Sequence, residues 1–182
     1  MEHLTLGISD FEKIADRLGS CELINGEIIP MPPGGYEHSL TTSLIFGHLL
    51  RHCDKYKTGR VLTNEAGVVT RKNPGTVRGA DALYISFKRL PKRERFPGFL
   101  RVAPELVAEV KSHDDSWDDM EEKVREYHKI GVELVWVADP KALIVRVYPR
   151  GGEPYVLSKK DTITGGKVLP KFKCRVERFF ED

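Results

Sequence analysis

The stretch "VELVWVADP", Val132 to Pro140, constrains the fold more than any other part of the chain. It is apolar at both odd and even positions, so neither face of a strand made from it can be turned to water. Such a strand is buried on both sides and runs parallel to a neighbour through a helical crossover. A crossover lies directly before it. In "SWDDMEEKVREYHKIG", Trp117, Met120, Val124 and Tyr127 fall on one helical stripe, with Ser116 and an acidic first turn at the start and Gly131 as the stop. Before that helix comes "PELVAEVKS", Pro104 to Ser112, which again has the length and composition of a strand.

The remaining chain supplies more of both element types. A short helix is expected from Ser9 to Gly19, with Ser9 as its cap, followed by two short strands around the Asn25-Gly26 turn signal. After "PMPPGG", the segment from Glu37 to about Tyr56 is apolar around most of its circumference and predicts a largely buried helix. "GRVLTNEAGVVTR", "VRGADALYISF" and "PELVAEVKS" read as a meander of three strands, "ALIVRVYPRGGEPYVL" as a hairpin, and "GKVLP" and "KCRVERFF" as weaker strands. The order predicts an α/β (α+β) sandwich, a central mixed β-sheet flanked by helices, with no internal repeat. At 182 residues this is one domain, 1–182, with an N-terminal helix and hairpin in 1–30, a core in 36–148 and C-terminal strands in 149–182.

Composition removes several function classes. A formal charge of +2 is too small for the whole surface to act as a polyanion binder, so any nucleic-acid contact must be local. Cys21, Cys53 and Cys174 are widely spaced and form no CxxC pair, which fits neither a disulfide framework nor a zinc cluster and leads to the expectation of a cytoplasmic protein. No long apolar run suggests a membrane partner.

Chemistry enters through charges in apolar strands. In "PELVAEVKS" a period of two puts Glu105, Val107, Glu109 and Lys111 on one face and Leu106, Ala108 and Val110 on the other. Desolvating an unpaired ion costs on the order of several kcal/mol, so such charges are paired, placed at a wet edge or kept for chemistry. In "VRGADALYIS", Asp81 shares a face with Leu83 and Ile85 and adds an acid to the preceding strand. If the two strands pair, Asp81 and Glu109 come within reach of one hard divalent cation, Mg²⁺ or Mn²⁺, and Lys111 stands beside it to orient a water and offset phosphate charge. The competing explanation is a structural ion pair between Glu109 and Lys111.

Asp81, then Glu109-Val110-Lys111 at the end of an apolar strand, then a helix and "VWVADP", resembles the PD-(D/E)XK nuclease superfamily. More closely, "PELVAEVKS", Lys123, Tyr127 and "GVELVWVADP" are similar to the Uma-two family of restriction-endonuclease-like proteins, over about Ile24 to Tyr148. The resemblance implies a metal-dependent endonuclease acting on nucleic acid, DNA first. Asp81 and Glu109 would be metal ligands, the Val110 carbonyl a third, and Lys111 the catalytic lysine. Ala80 stands where the superfamily has proline. Family members often take their lysine from the following helix, so Lys111 and Lys123 both stand as candidates. A nuclease fold kept for binding or assembly without turnover is the alternative function. Duplex cleavage by one small site per chain favours a homodimer.

Other residues have competing roles. Lys123 borders the buried stripe of its helix and is either a site residue or a lysine whose stem covers apolar surface. Glu37 is either an auxiliary acid of the metal site or a favourable charge at a helix N-terminus. Lys88, Arg89, Lys92, Arg93, Arg95 and Arg101 lie between the two motif strands, where they would serve as phosphate contacts or as a solubilising loop. His48 and His52 have the i, i+4 spacing of zinc ligands without a third partner and are expected on the polar face. His113 continues the face of Glu109 and Lys111, while Trp117 and Trp136 are expected to be buried anchors. Glu121-Glu122-Lys123 shows that an E-x-K triplet by itself has little weight, because on a helix its ends point to different faces.

Overall fold

In a computed structural model of the chain, residues 5–181 are described, apart from the side chains of residues 64 and 65. Three helices, α1 (Ile8–Leu18), α2 (Tyr36–Tyr56) and α3 (Trp117–Ile130), are distributed among ten strands. The strands are β1 (Cys21–Ile24), β2 (Glu27–Pro30), β3 (Gly59–Arg71), β4 (Thr76–Ser86), β5 (Leu106–Val110), β6 (Leu134–Asp139), β7 (Ile144–Pro149), β8 (Tyr155–Ser158), β9 (Thr162–Gly165) and β10 (Leu169–Arg175). A single 3₁₀ turn, Val176–Phe179, follows.

The central sheet runs β2-β1-β4-β5-β6-β7-β8, with β3 also paired to β4, and β9 and β10 form a separate ribbon. β5 and β6 are parallel, from Leu106↔Leu134 to Val110↔Ala138, and the other pairs are antiparallel. The crossover between the parallel strands is α3, capped as its sequence requires. Ser116 accepts the Asp119 N–H while Asp119 accepts the Ser116 N–H, and Gly131 ends the helix at φ 107°. Asn25 (φ 53°) and Gly26 (φ 83°) both take the left-handed conformation that a two-residue hairpin turn needs.

The sheet is covered on both sides. Ala82, Tyr84, Leu106, Ala108 and Trp136 pack against Ile45 and Leu49 of α2 and against Phe172 and Phe179 of the C-terminal segment. On the other side Leu83, Ile85, Val107, Val135 and Val137 pack against Met120, Val124 and Tyr127 of α3. Each fully buried large apolar side chain contributes roughly 1.5–3 kcal/mol, so two such layers suffice to hold the β5-α3-β6 unit rigid. Trp136 is 0 % exposed, as a strand apolar on both parities demands.

Several expectations are corrected. α1 begins at Ile8 with Gly7 at its cap position, and Ser9 lies inside the helix without a capping bond. α2 is covered on one face only: Thr41, Ile45, Leu49, His52 and Cys53 are buried, whereas Tyr36 and Leu50 are exposed. His52 therefore belongs to the buried face, against Tyr56 and Phe172, and His48 packs on Phe179. Trp117 is only partly buried and lies under the Arg146 guanidinium, 3.5 Å from its ring centre. In the tail "VERF" forms the 3₁₀ turn instead of a strand.

Candidate functional site

β4 is where the sheet forks. One edge of β4 is paired to β3, while its other edge meets β1 at Val77 and β5 only from Ala82 to Tyr84. Around residues 78–81 that second edge therefore lacks a neighbouring strand. Backbone donors left there need other partners, and carboxylates provide them. The Gly79 N–H donates to Glu22 Oε1 (2.9 Å), and the Val110 N–H donates to Asp81 Oδ2 (2.7 Å). The β3–β4 register also shifts between Thr63↔Ala82 and Ala66↔Ala80, so alternation is broken at Asp81, and Ala80 and Leu83 reach the same core.

One step beyond the Ala82↔Ala108 pair, Asp81 stands opposite Glu109 across two antiparallel strands. Glu109 is 3 % exposed and faces α3, where the Tyr127 hydroxyl donates to Oε1 at 2.8 Å. Lys123, one turn before Tyr127, brings its Nζ 3.6 Å from Glu109 Oε2 and 3.7 Å from Glu22 Oε1. Glu22 is held by Arg78 Nη1 (2.9 Å), and Arg78 also bonds both oxygens of Glu126. Thr70 donates to Glu126 in turn. From the first turn of α2, His38 Nε2 approaches Asp81 Oδ2 at 3.4 Å.

The electrostatics of this cluster are unbalanced. Four carboxylates, Glu22, Asp81, Glu109 and Glu126, face two permanent cations, Arg78 and Lys123. Burial pushes the Glu109 carboxyl up to about 8; Lys123 and the Tyr127 hydroxyl pull it down, and Asp81 and Glu22 push it further up. Burial acts on Lys123 in the opposite sense, yet Glu109, Glu22 and Asp81 together hold its pKa above the usual lysine value. The hydrogen bond to Asp81, against the effect of burial, raises His38.

These donors suit a hard divalent cation. Asp81 and Glu109 offer carboxylate oxygens from adjacent strands, and a divalent ion would take the place of the proton that burial keeps on Glu109. Among the described residues no three of His, Cys, Asp or Glu converge as a ready-made metal cluster. Backbone oxygen and water would therefore complete the coordination, which Mg²⁺ and Mn²⁺ accept and a closed zinc site does not.

The site opens into a cavity of about 860 Å³. Its two lips are the "MPPGGY" loop, residues 31–36, and the loop that follows β5. Lys111 lies just past the last residue of β5, with its Nζ 3.3 Å from the Ser112 carbonyl; Glu109 pairs with Lys123 and not with Lys111. Glu37 is exposed at the mouth, and His38 is the α2 residue that reaches inward. His113 is exposed beside Asp114.

The basic connection lies elsewhere. Arg89 is bonded to the carbonyls of Ala103, Pro104 and Gly131 and to the carboxylates of Glu105 and Glu133. It thus sits at the opposite end of β5 from Glu109, about 13 Å away at strand rise. Lys88, Lys92, Arg93 and Arg95 are exposed on the same connection, and Arg101 pairs with Glu12 of α1. None of them lines the cavity.

Sequence reasoning missed Glu22, Arg78, His38 and the Tyr127 hydroxyl. Glu22 and Arg78 did carry a signal, since each is a charge inside a short strand-like run, the feature that drew attention to Glu109. His38 carried none.

Comparison with known proteins gives a consistent picture. The model of the Uma2 family, described as "Putative restriction endonuclease", matches residues 8–177. A crystal structure from Anabaena variabilis, described as "a putative nuclease belonging to DUF820", superposes with a TM-score of 0.83 at 18 % identity, covering 96 % of this chain and 97 % of that one. No curated protein matches.

Proposed function

From the premise that this chain belongs to the Uma2 family, we propose that it is a metal-dependent nuclease that hydrolyses phosphodiester bonds, with DNA as the first substrate to test. The observation that supports this most is the convergence of Asp81 and Glu109 on one cavity at the sheet fork, where burial pushes the Glu109 carboxyl up to about 8. Asp81, Glu109 and the Val110 carbonyl would hold Mg²⁺ or Mn²⁺. Such an ion supplies Lewis-acid stabilisation of the phosphate and a more acidic water.

The protein groups divide the remaining work. The Tyr127 hydroxyl holds one oxygen of Glu109 and so fixes its rotamer. The Val110 N–H does the same for Asp81. Lys123 remains an ammonium ion and acts by charge: it offsets the carboxylates before substrate arrives and the phosphate afterwards, a role that a preorganised buried cation performs better than one in water. Glu22, bonded to Arg78 and Gly79, keeps Lys123 in place. Lys111, at the cavity wall outside this network, would contact a non-bridging phosphate oxygen or the attacking water.

The test is calorimetric titration of wild type and Glu109→Ala with Mg²⁺ and Mn²⁺, paired with cleavage of plasmid and single-stranded DNA. Binding and cleavage that disappear together in the variant are the expected result. A wild type that binds neither ion would overturn the proposal and leave a nuclease fold without turnover.

A further inference from the structure

The cavity over Asp81 and Glu109 is lined by seven carboxyl groups and three lysines. Without a cation such a surface repels a polyanion, so it does not by itself draw nucleic acid to the protein. The chain as a whole nevertheless has a formal charge of +2, and much of its positive charge collects at the other end of the sheet.

The β4–β5 connection supplies the first part of that surface. Arg60 of β3 donates to the carbonyls of Leu90 (3.2 Å), Pro91 (2.9 Å), Lys92 and Glu94, and it lies over the Phe87 ring. With its carbonyls drawn onto one guanidinium the connection is held in place, and Lys88, Lys92, Arg93 and Arg95 stand exposed on it. Glu94 is the single acid among residues 88–96.

Arg89 joins this stretch to a second part. Together with Arg150 and Lys167 it lines a recess of about 700 Å³ bordered by the Gly151-Gly152 and Gly165-Gly166 turns. The one acid in the lining, among the described residues, is Glu133, which is already paired with Arg89. Tyr155 lines the same recess with its ring 46 % exposed.

Lys88, Lys92, Arg93, Arg95, Arg150 and Lys167 make no ion pair among the described residues. Solubility is served by charges of mixed sign, whereas here one sign is segregated at the cost of self-repulsion. Phosphates relieve that repulsion, and an exposed ring among the cations offers a base something to stack on.

Resting on the nuclease reading for the identity of the partner, we propose that this basic end of the sheet is where the protein grips nucleic acid, through phosphates and apart from the acidic cavity. Arg89 is about 13 Å along β5 from Glu109, so the phosphates gripped here are not the one under attack. Contacts to phosphate position the strand without reading its sequence.

Fluorescence anisotropy with a short labelled DNA duplex in EDTA, which prevents cleavage, tests the proposal over a range of salt concentrations. Wild-type affinity should fall steeply with salt. Arg93→Gln, Arg95→Gln, Arg150→Gln and Lys167→Gln are exposed positions whose replacement leaves the fold intact. Combined in one protein, they should weaken binding about tenfold and lower the slope of log affinity against log salt by about one for each phosphate contact removed. Glu109→Ala should bind the duplex as the wild type does. An affinity and slope unchanged by the four substitutions, or lost in Glu109→Ala instead, would overturn the inference, as would binding to vesicles of anionic lipid but not to the duplex. Mg²⁺ calorimetry keeps the two proposals apart. A wild type that grips the duplex through these residues but takes up no metal loses the nuclease and keeps this surface.

Discussion

Two buried glutamates flank the apolar middle of one strand on the same side of the sheet, Glu105 just before β5 and Glu109 near its end, and they are treated differently. Glu105 accepts the backbone N–H and the hydroxyl of Ser86 and lies 3.2 Å from Arg89 Nε, which is itself anchored on three carbonyls. Glu109 has one hydrogen bond, from Tyr127, an ammonium at 3.6 Å, and Asp81 across the strand. A carboxylate with a full set of donors ties loops together. In one with few donors, burial pushes the pKa up, here to about 8, and a cation that arrives gains by replacing the proton.

The largest expected break in this comparison is in metal binding. Glu109→Gln should abolish Mg²⁺ and Mn²⁺ uptake and lower the cleavage rate roughly thousandfold, whereas Glu105→Gln should leave the calorimetric isotherm unchanged. If Glu105→Gln removed binding as well, the two ends of β5 would not be distinct.

Next in size is Lys123→Met. At pH 8 the change leaves Glu109 and Glu22 without their shared cation, and urea unfolding should register a loss of about 3 kcal/mol. A neutral result would mean that Lys123 does not balance the site.

The pH dependence of the metal-free protein follows. The folded-state pKa of Glu109 is raised from 4.5 to about 8, so the native state holds this proton more firmly than the unfolded chain. The associated stability is present in full below about pH 4.5 and is lost as pH rises through about 8, at up to about 1.4 kcal/mol per pH unit. Wild type minus Glu109→Gln, measured by thermal unfolding across that window, should fall with rising pH. A flat difference would show Glu109 to be ionised already.

The smallest effect belongs to Lys111→Ala. Outside the buried network, it should change stability by no more than about 0.5 kcal/mol while lowering the rate of DNA cleavage. A large destabilisation would place Lys111 inside the network after all.

Legibility differed between fold and site. The two-parity apolar run at β6 and the stripe of α3 announced the parallel crossover, and Asn25-Gly26 announced its hairpin, because burial and turn geometry act on neighbours along the chain. Asp81 and Glu109 were legible for the same reason, as acids interrupting apolar strands. Which lysine serves them was not. Lys111 is two residues from Glu109 in sequence, yet the strand ends between them, and Lys123 reaches the site only because α3 folds back over β5. The basic run from Lys88 to Arg95 lay between two motif strands, where it would serve as phosphate contacts or as a solubilising loop, but the antiparallel connection leaves β4 at Ser86 and enters β5 at Leu106, the end of β5 opposite Glu109.

By itself, then, the sequence determined most of the elements, the parallel β5-α3-β6 unit and the presence of two acids in apolar strands, since these rest on periodicity and on the cost of charge in an apolar strand; β9 and the closing 3₁₀ turn lay outside it. The tertiary structure decided the fork in the sheet, the recruitment of Glu22, Arg78 and His38, the choice of Lys123 as the cation beside Glu109, and the lining of the cavity. Those depend on contacts between residues far apart in the chain, where local pattern has no hold and only the packing of one element on another sets distance and charge balance.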